Sequence, residues 1–480
     1  MTEAIWNYIA GQRQAPRGET RHRVINPARL DDVVAEYELS SVVQTDTAIA
    51  AAVEAARAWR LETAIRRGEM LAKAGSYIMD NAGTLGALAC REMGKPLAEA
   101  VAEANYAGKV LQFYGAEAQR PRGETLNSGR PNVHLYTVRE PVGVVGAITP
   151  WNFPFSIACW KIGPALVTGN TVVWKPAPHH PLSSQAIMEA LEAAGLPEGV
   201  VNLVHGGAEV GDRIARDERV GAVAFTGSTM VGEEVFRIAS ARLARAQCEM
   251  GGKNAVYVHR DADIDKAVSL VVEGAFRSAG QKCTATSRVL VDREIEEAFV
   301  VKLVARAREL TVGNPADART FVGPVVDERQ FTKVRGFIER AVAAGFRIAA
   351  GGAEPSMGNG YFVAPTIVLD VAPDAEIARQ EVFGPVAAVM PVEDIDEALR
   401  LVNDTRYGLS VTICTRDLSA AHRFARDAEA GVVNVNLPTA GVEMHAPFGG
   451  WKGSGIGMPE QGLKILDFYT KWRSVAMQFS

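Results

Sequence analysis

From Pro141 onward the chain carries short, continuous apolar runs at residues 142–148, 171–174, 200–204 and 220–225. Helical spacing fills the gaps between them, near 154–168, 181–194, 207–216 and 229–240. Strands apolar on both faces, alternating with helices, predict a parallel sheet covered on both sides. Such a doubly wound sheet binds ligands at the carboxyl ends of its strands. After Gln247 a second series follows, at 254–258, 288–291, 346–350, 386–392, 410–414 and 432–435, and predicts a second α/β domain. Ahead of both, residues 4–12 predict a strand running into a turn. Ile49, Ala52, Val53, Ala56 and Trp59 predict a helix over 46–60, with Thr45 as its N-cap. Further helices are predicted over 64–92, stopping at Gly94-Lys95-Pro96, and over 96–115. Residues 120–139 are polar, with Val133, Leu135, Tyr136 and Val138 interspersed, and predict an extended excursion from the domain; 471–479 predicts a last strand.

A chain of 480 residues exceeds one ordinary core, so more than one structural unit is expected. Hydrophobic residues make up 48% and charged residues 22%, which supports packed cores and argues against disorder. A net charge of −5 gives no reason to expect nucleic acid or an anionic membrane as partner. The five cysteines are odd in number and contain no Cys-x-x-Cys pair, so neither a disulfide framework nor a metal site is expected. Met1 to Trp6 lacks the basic and apolar regions of a secretory signal, and no apolar run reaches the length of a membrane span. The expectation is a soluble, cytoplasmic protein.

Chemistry concentrates where apolar runs end. Gly280-Gln281-Lys282-Cys283-Thr284-Ala285-Thr286-Ser287 sets a lone thiol among small and polar residues, between a predicted helix over 264–279 and a predicted strand over 288–292. A thiolate is a strong nucleophile near neutral pH; a buried structural cysteine is the alternative. In Pro150-Trp151-Asn152-Phe153-Pro154 the Asn152 amide can donate to an oxyanion or merely cap a turn. Lys175 ends a strand, placed for ribose hydroxyls or phosphate, or simply solvated. Residues 225–232, Phe-Thr-Gly-Ser-Thr-Met-Val-Gly, form a strand–turn–helix that admits a pyrophosphate at the helix's positive end; an ordinary cap would look similar. Glu249 precedes two glycines and can serve as a general base if burial raises its pKa, or flank a turn as a bare charge. Glu381 and Phe383 offer a second carboxylate and a ring. His179 and His180, in a proline-flanked loop, read as surface residues.

Together and in this order, these stretches resemble the NAD(P)-dependent aldehyde dehydrogenase superfamily over nearly the whole chain. The resemblance implies an α/β fold with a Rossmann-type cofactor domain (1–119 and 140–248) and an α/β catalytic domain (249–445). It also implies a small β oligomerisation extension (120–139 and 467–480) whose segments pair between subunits of a homodimer or homotetramer. It implies that Cys283 attacks the aldehyde, that Asn152 and the Cys283 N–H hold the oxyanion, and that Glu249 activates the hydrolytic water. Lys175 would meet the adenosine ribose, Gly227 and Ser228 the pyrophosphate, and Glu381 and Phe383 the nicotinamide ribose. Thr149, Trp151, Pro178, Val231 and Met250 complete the implied cofactor contacts.

NAD-preferring relatives often carry glutamate three residues after the lysine, where this chain has Pro178. Losing a like charge of about 4 kcal/mol at close range and intermediate dielectric removes the main bar to a 2′-phosphate, so NADP is expected, with NAD also used. Residues 249–254, 276–288 and 440–450 look most like the α-ketoglutaric semialdehyde (2,5-dioxovalerate) dehydrogenases. Arg277 matches an arginine that binds the remote carboxylate in succinic semialdehyde dehydrogenases; a structural ion pair is its alternative role. Their second arginine corresponds to Trp160. The alternatives are oxidation of succinic semialdehyde or of general aliphatic and aromatic aldehydes, a CoA-acylating enzyme (against which Glu249 speaks), and a catalytically silent relative (against which Cys283, Glu249 and Asn152 speak).

Overall fold

The computed structural model describes residues 4–120, 123–353 and 358–479. Residues 1–3, 121–122 and 480, which fall within the expected N-terminal domain and extension, lie outside the described residues. Five parallel strands form the heart of the first sheet, in spatial order Val201–Leu203, Thr171–Pro176, Val144–Thr149, Val220–Thr226 and Arg245–Glu249. The hairpin of Asn7–Ile9 and Gln12–Gln14 extends one edge antiparallel, and Gly455–Ile456 the other. Successive side chains of these strands enter opposite cores. Val145, Ala147, Val172 and Trp174 lie on one face, and Val144, Ile148, Val173 and Val223 on the other. Two buried faces leave no place for polar residues, which is why the runs are continuous rather than alternating. Helices Ser156–Val167, Pro181–Ala193, Ala208–Arg216 and Thr229–Ala241 make the crossovers, each where its pattern predicts it. The strand order reverses between Val144–Thr149 and Val220–Thr226, so the crevice opens beyond Thr149 and Thr226.

The second sheet runs Arg347–Ala350, Thr366–Leu369, Val386–Val392, Thr286–Asp292, Asn254–Val258, Ser410–Cys414 and Val432–Val435, around a core that includes Val256, Phe276, Leu290, Phe299 and Val389. Residues 250–253 alone join the last parallel strand of the first sheet to the first strand of the second. The carboxyl ends of one sheet therefore face the amino ends of the other across this link. Among the described residues no helix is long and apolar enough to cross a membrane.

Several expectations need correction. The first long helix is Val42–Leu61, capped by Ser41, whose hydroxyl accepts from Gln44 N at 3.4 Å. Thr45 lies inside it and donates to Ser41 O at 3.0 Å. Val42 and Val43 are exposed, so the first turn carries no apolar stripe to betray it. The helix expected over 64–92 is two, Ala64–Asp80 and Ala82–Met93, broken at Asn81, whose amide donates to Tyr77 O at 2.8 Å. The hairpin Arg21–Ile25 with Val33–Glu38 and the strand Thr366–Leu369 were not anticipated. Separately from these corrections, the two outlying segments lie side by side within the chain, Val133–Pro141 running antiparallel to Thr470–Gln478, from Pro141 opposite Thr470 to Val133 opposite Gln478. The reason is where they leave the body. Val142 N donates to Tyr469 O at 3.2 Å, so both depart from one point.

Candidate active site

The helix Ile264–Phe276 ends in a single tight turn, Arg277–Gly280, with Ser278 (φ 54°), Ala279 (φ 52°) and Gly280 (φ 68°) all left-handed. Two non-glycine residues in that region are strained and persist only where surroundings fix them. Ser278 donates to Glu99 from its N–H (3.3 Å) and hydroxyl (2.6 Å), and Gln281 Oε1 accepts from Val326 N at 2.9 Å. Beyond the turn, Asn254 Nδ2 donates to Cys283 O (2.7 Å) and Ala285 O (2.9 Å), while the Thr439 hydroxyl donates to Thr284 O at 2.7 Å. Cys283 is thus held by its backbone, leaving its side chain unconstrained by those bonds. It is half-buried, whereas Cys90, Cys159, Cys248 and Cys414 are buried.

Asn152 follows the central strand Val144–Thr149 and is 4% exposed. Its Nδ2 donates to Gln281 O at 3.0 Å, which ties it to the thiol loop. An amide nitrogen carries two hydrogens, and the second is not used by that bond. Lys95 and Glu103, buried and paired, clamp the loop from below. Lys95 Nζ donates to Asn152 O at 2.7 Å. Glu103 Oε1 accepts from Phe155 N (3.0 Å), Ser156 N (3.2 Å) and the Ser156 hydroxyl (3.2 Å). His180 Nε2 holds Pro150 O at 3.1 Å. His180 is fully buried, not the surface residue expected, because Pro181 opens a buried helix directly after it. Burial pushes it down to about 3, so the ring is neutral. His179 is half-buried and pairs with Asp327 at 3.0 Å.

Glu249 ends the strand Arg245–Glu249 and is 4% exposed. Gly450 N donates to its Oε2 at 3.3 Å and Gln247 Nε2 to its Oε1 at 3.5 Å. Burial, then the charge of Glu460, holds its carboxyl well above the ordinary range, while Lys161 opposes them. Behind it lies the buried Lys161–Glu460 pair, joined to Gln247 Oε1 at 3.5 Å. Sequence reasoning passed over this pair, although a lysine in the wholly buried helix Ser156–Val167 is a signal, since a buried charge requires a partner. Glu381 Oε1 accepts from Gly252 N at 3.0 Å. A Cβ on Gly251 would collide with the Glu381 carboxylate, and one on Gly252 would stand 2.6 Å from Cys283 O. The two glycines are therefore where three loops converge. The Cys283 thiol is pushed up to about 12 by burial and then by the charges of Glu249 and Glu381. Thiol, amide and both carboxylates share one site.

The crevice beside it has the groups an anionic, hydroxyl-rich ligand requires. Lys175 Nζ is buried and, among the described residues, donates only to carbonyls, Pro176 O (3.2 Å) and Gly206 O (3.0 Å); desolvation pushes it down to about 8. Ser228 caps helix Thr229–Ala241 without a side-chain bond, so the first-turn N–H groups have no side-chain cap. Gly227 N itself donates to Glu249 O at 3.0 Å. Val231 is exposed; Met250 is buried, its sulfur packed where a Gly232 side chain would be. The Thr149 hydroxyl accepts from Trp174 Nε1 at 2.9 Å, and Pro178 O accepts from Tyr37 at 2.8 Å. Phe383 is left-handed (φ 57°), fixed by Gln330 Nε2 donating to Phe383 O at 2.6 Å, and its ring meets Trp151 edge-on at 5.5 Å.

Arg277 is engaged by Glu273 through two hydrogen bonds (2.6 and 3.2 Å) and lies over the Phe321 ring at 4.3 Å. It borders a cavity of about 250 Å³ lined also by Lys95, Phe153 and Lys282. Trp160 is not among the lining residues; it is buried between Tyr106 (6.4 Å) and Phe448 (5.9 Å).

A model of the aldehyde dehydrogenase family matches residues 14–475. Over 455 residues the chain is 44% identical to 2,5-dioxopentanoate dehydrogenase of Saccharolobus solfataricus, covering 94% of this chain and 95% of that one. Over 473 residues it is 41% identical to alpha-ketoglutaric semialdehyde dehydrogenase of Bacillus subtilis, covering 98% and 97%. Among solved structures, betaine aldehyde dehydrogenase of Staphylococcus aureus in complex with NAD+ matches with a TM-score of 0.96 at 33% identity, covering 99% of this chain and 95% of that one. With the family match spanning both sheets and the thiol loop between them, the chain belongs to the aldehyde dehydrogenase family and is an NAD(P)-dependent oxidoreductase.

Proposed function

We propose that the protein oxidises an acidic semialdehyde, 2,5-dioxopentanoate foremost, to the dicarboxylic acid through a thioester on Cys283. The observation that carries this reading is the convergence of Cys283, Asn152 and Glu249 on one site; the named relatives supply the substrate. The Cys283 thiolate adds to the aldehyde carbon, and the second Asn152 N–H with the Cys283 N–H receives the oxyanion. Bound NAD(P) would supply the acceptor for the hydride that leaves this carbon, so that a thioester remains on Cys283. Glu249 then takes a proton from water attacking the thioester, the C–S bond breaks, and the sulfur is released. Lys175 would hold the adenosine ribose, Ser228 and the helix behind it the pyrophosphate, and Glu381 with Phe383 the nicotinamide ribose. Pro178 brings no charge against a 2′-phosphate, so NADP is preferred and NAD is also used. The edge strand Thr470–Gln478, with Trp472 and Phe479 more than half exposed, is the surface on which subunits associate.

In this reading Lys95 positions the oxyanion donor. Lys95→Met frees Asn152 O and strands Glu103, and is expected to destabilise the protein by about 3–5 kcal/mol and to lower kcat about 100-fold. Thermal unfolding and steady-state kinetics measure both. The substrate assignment is tested by NADP and NAD reduction with 2,5-dioxopentanoate, succinic semialdehyde and uncharged aldehydes. The highest kcat/KM is expected for 2,5-dioxopentanoate with NADP; a higher value for an uncharged aldehyde would overturn the assignment.

A further inference from the structure

An acidic semialdehyde carries a carboxylate remote from its reacting carbon, and the entrance to the site must receive it. Arg277 suits the task by residue type but is already occupied, its guanidinium bound at two points by Glu273 and laid on Phe321. Lys95, the second cation lining the 250 Å³ cavity, is taken by Glu103 and Asn152 O. The third is Lys282. Among the described residues its Nζ makes one hydrogen bond, to the Glu273 carbonyl oxygen at 3.2 Å, and forms no ion pair. An ammonium has three donors, so two are not used by that bond. Lys282 is also 8% exposed, so water satisfies it poorly. Glu99 and Glu273 act on it only through space, and a carboxylate bound directly at Nζ would offset the burial cost that remains. Burial pushes Lys282 down to about 8 against the opposing charges of Glu99 and Glu273.

Placement agrees. Lys282 is the chain neighbour of the nucleophile, its Cα about 3.8 Å from that of Cys283. Phe153, the neighbour of Asn152, lines the same cavity. The carboxylates facing the same space are both in use: Glu99 accepts from Ser278, and Glu273 from Arg277. We propose that Lys282 receives the substrate's remote carboxylate and sets the preference for acidic over neutral aldehydes, with Arg277 acting as a strut that fixes Glu273. This rests on the acidic-semialdehyde reading given above.

The test compares kcat/KM for 2,5-dioxopentanoate and for pentanal, at saturating NADP, in wild type, Lys282→Met, Lys282→Gln, Lys282→Arg and Arg277→Met. In wild type the acid is preferred. In Lys282→Met and Lys282→Gln the ratio of the two kcat/KM values falls about 100-fold, chiefly through KM for the acid. Lys282→Arg restores most of the ratio, and Arg277→Met moves both substrates together. A wild type without preference for the acid overturns the substrate reading, and this proposal with it. A wild-type preference that survives in Lys282→Met and Lys282→Gln, or that Arg277→Met alone abolishes, overturns the role of Lys282 while leaving the substrate reading in place.

Discussion

Cys283→Ala is expected to abolish aldehyde-dependent reduction of NADP and NAD, by at least about 10⁴-fold, while leaving the fold intact. The loop does not depend on the sulfur for its shape. Asn254 grips the carbonyls of residues 283 and 285, Thr439 that of residue 284, and Asn152 that of residue 281. Alanine removes one atom and retains these bonds, so thermal unfolding should shift little. No other thiol can take over, since the remaining four cysteines are buried elsewhere in the cores. Absorbance of the reduced cofactor reads the loss, and retained cofactor binding in the same variant separates lost chemistry from lost structure.

Glu249→Gln is expected to stop the enzyme after one turnover. The amide keeps an acceptor for Gly450 N and similar volume, but it cannot take a proton from water. Each subunit then releases one reduced cofactor in a burst, and steady-state turnover falls about 10²- to 10⁴-fold. The pH profile carries a second signature. Burial and Glu460 raise the Glu249 carboxyl, and the proposed general base acts as the carboxylate. Hydrolysis therefore weakens as pH falls through that raised value, placing the acid limb above the ordinary carboxylate range. The thiol is also raised and also works deprotonated, so acylation quickens with rising pH as well. In Glu249→Gln the burst keeps its rise with pH, whereas the limb belonging to Glu249 disappears from the residual hydrolysis.

Much of this was legible because chemistry sits where apolar runs end. The runs at 142–148, 171–174 and 220–225 gave the first sheet, and Asn152, Lys175 and Gly227 follow from their carboxyl ends. What could not be read was convergence at long range. Asn152 meets Gln281, and Gly252 meets Glu381, each across 129 residues, and no local pattern encodes either. Lys95 and Glu103 lie in stretches that read only as a helix stop and a helix, yet they hold the Asn152 loop. His180 was misread because a proline-flanked loop is usually exposed, whereas Pro181 here begins a buried helix. Arg277 was half legible. Glu273 stands one helical turn before it, the spacing at which ion pairs form, and that pairing withdraws the guanidinium from the role its residue type suggests. Lys282, inside the very motif that drew attention to Cys283, passed without notice because a sequence does not show which cations already have partners.

In the proposed mechanism the substrate becomes covalently attached to one sulfur. Glu249→Gln mixed with 2,5-dioxopentanoate and NADP, quenched in acid and analysed by peptide mass spectrometry, tests it directly. An acyl adduct is expected on the peptide bearing Cys283, formed only when the cofactor is present. An adduct on any other cysteine, or steady turnover with no adduct at all, would contradict that mechanism.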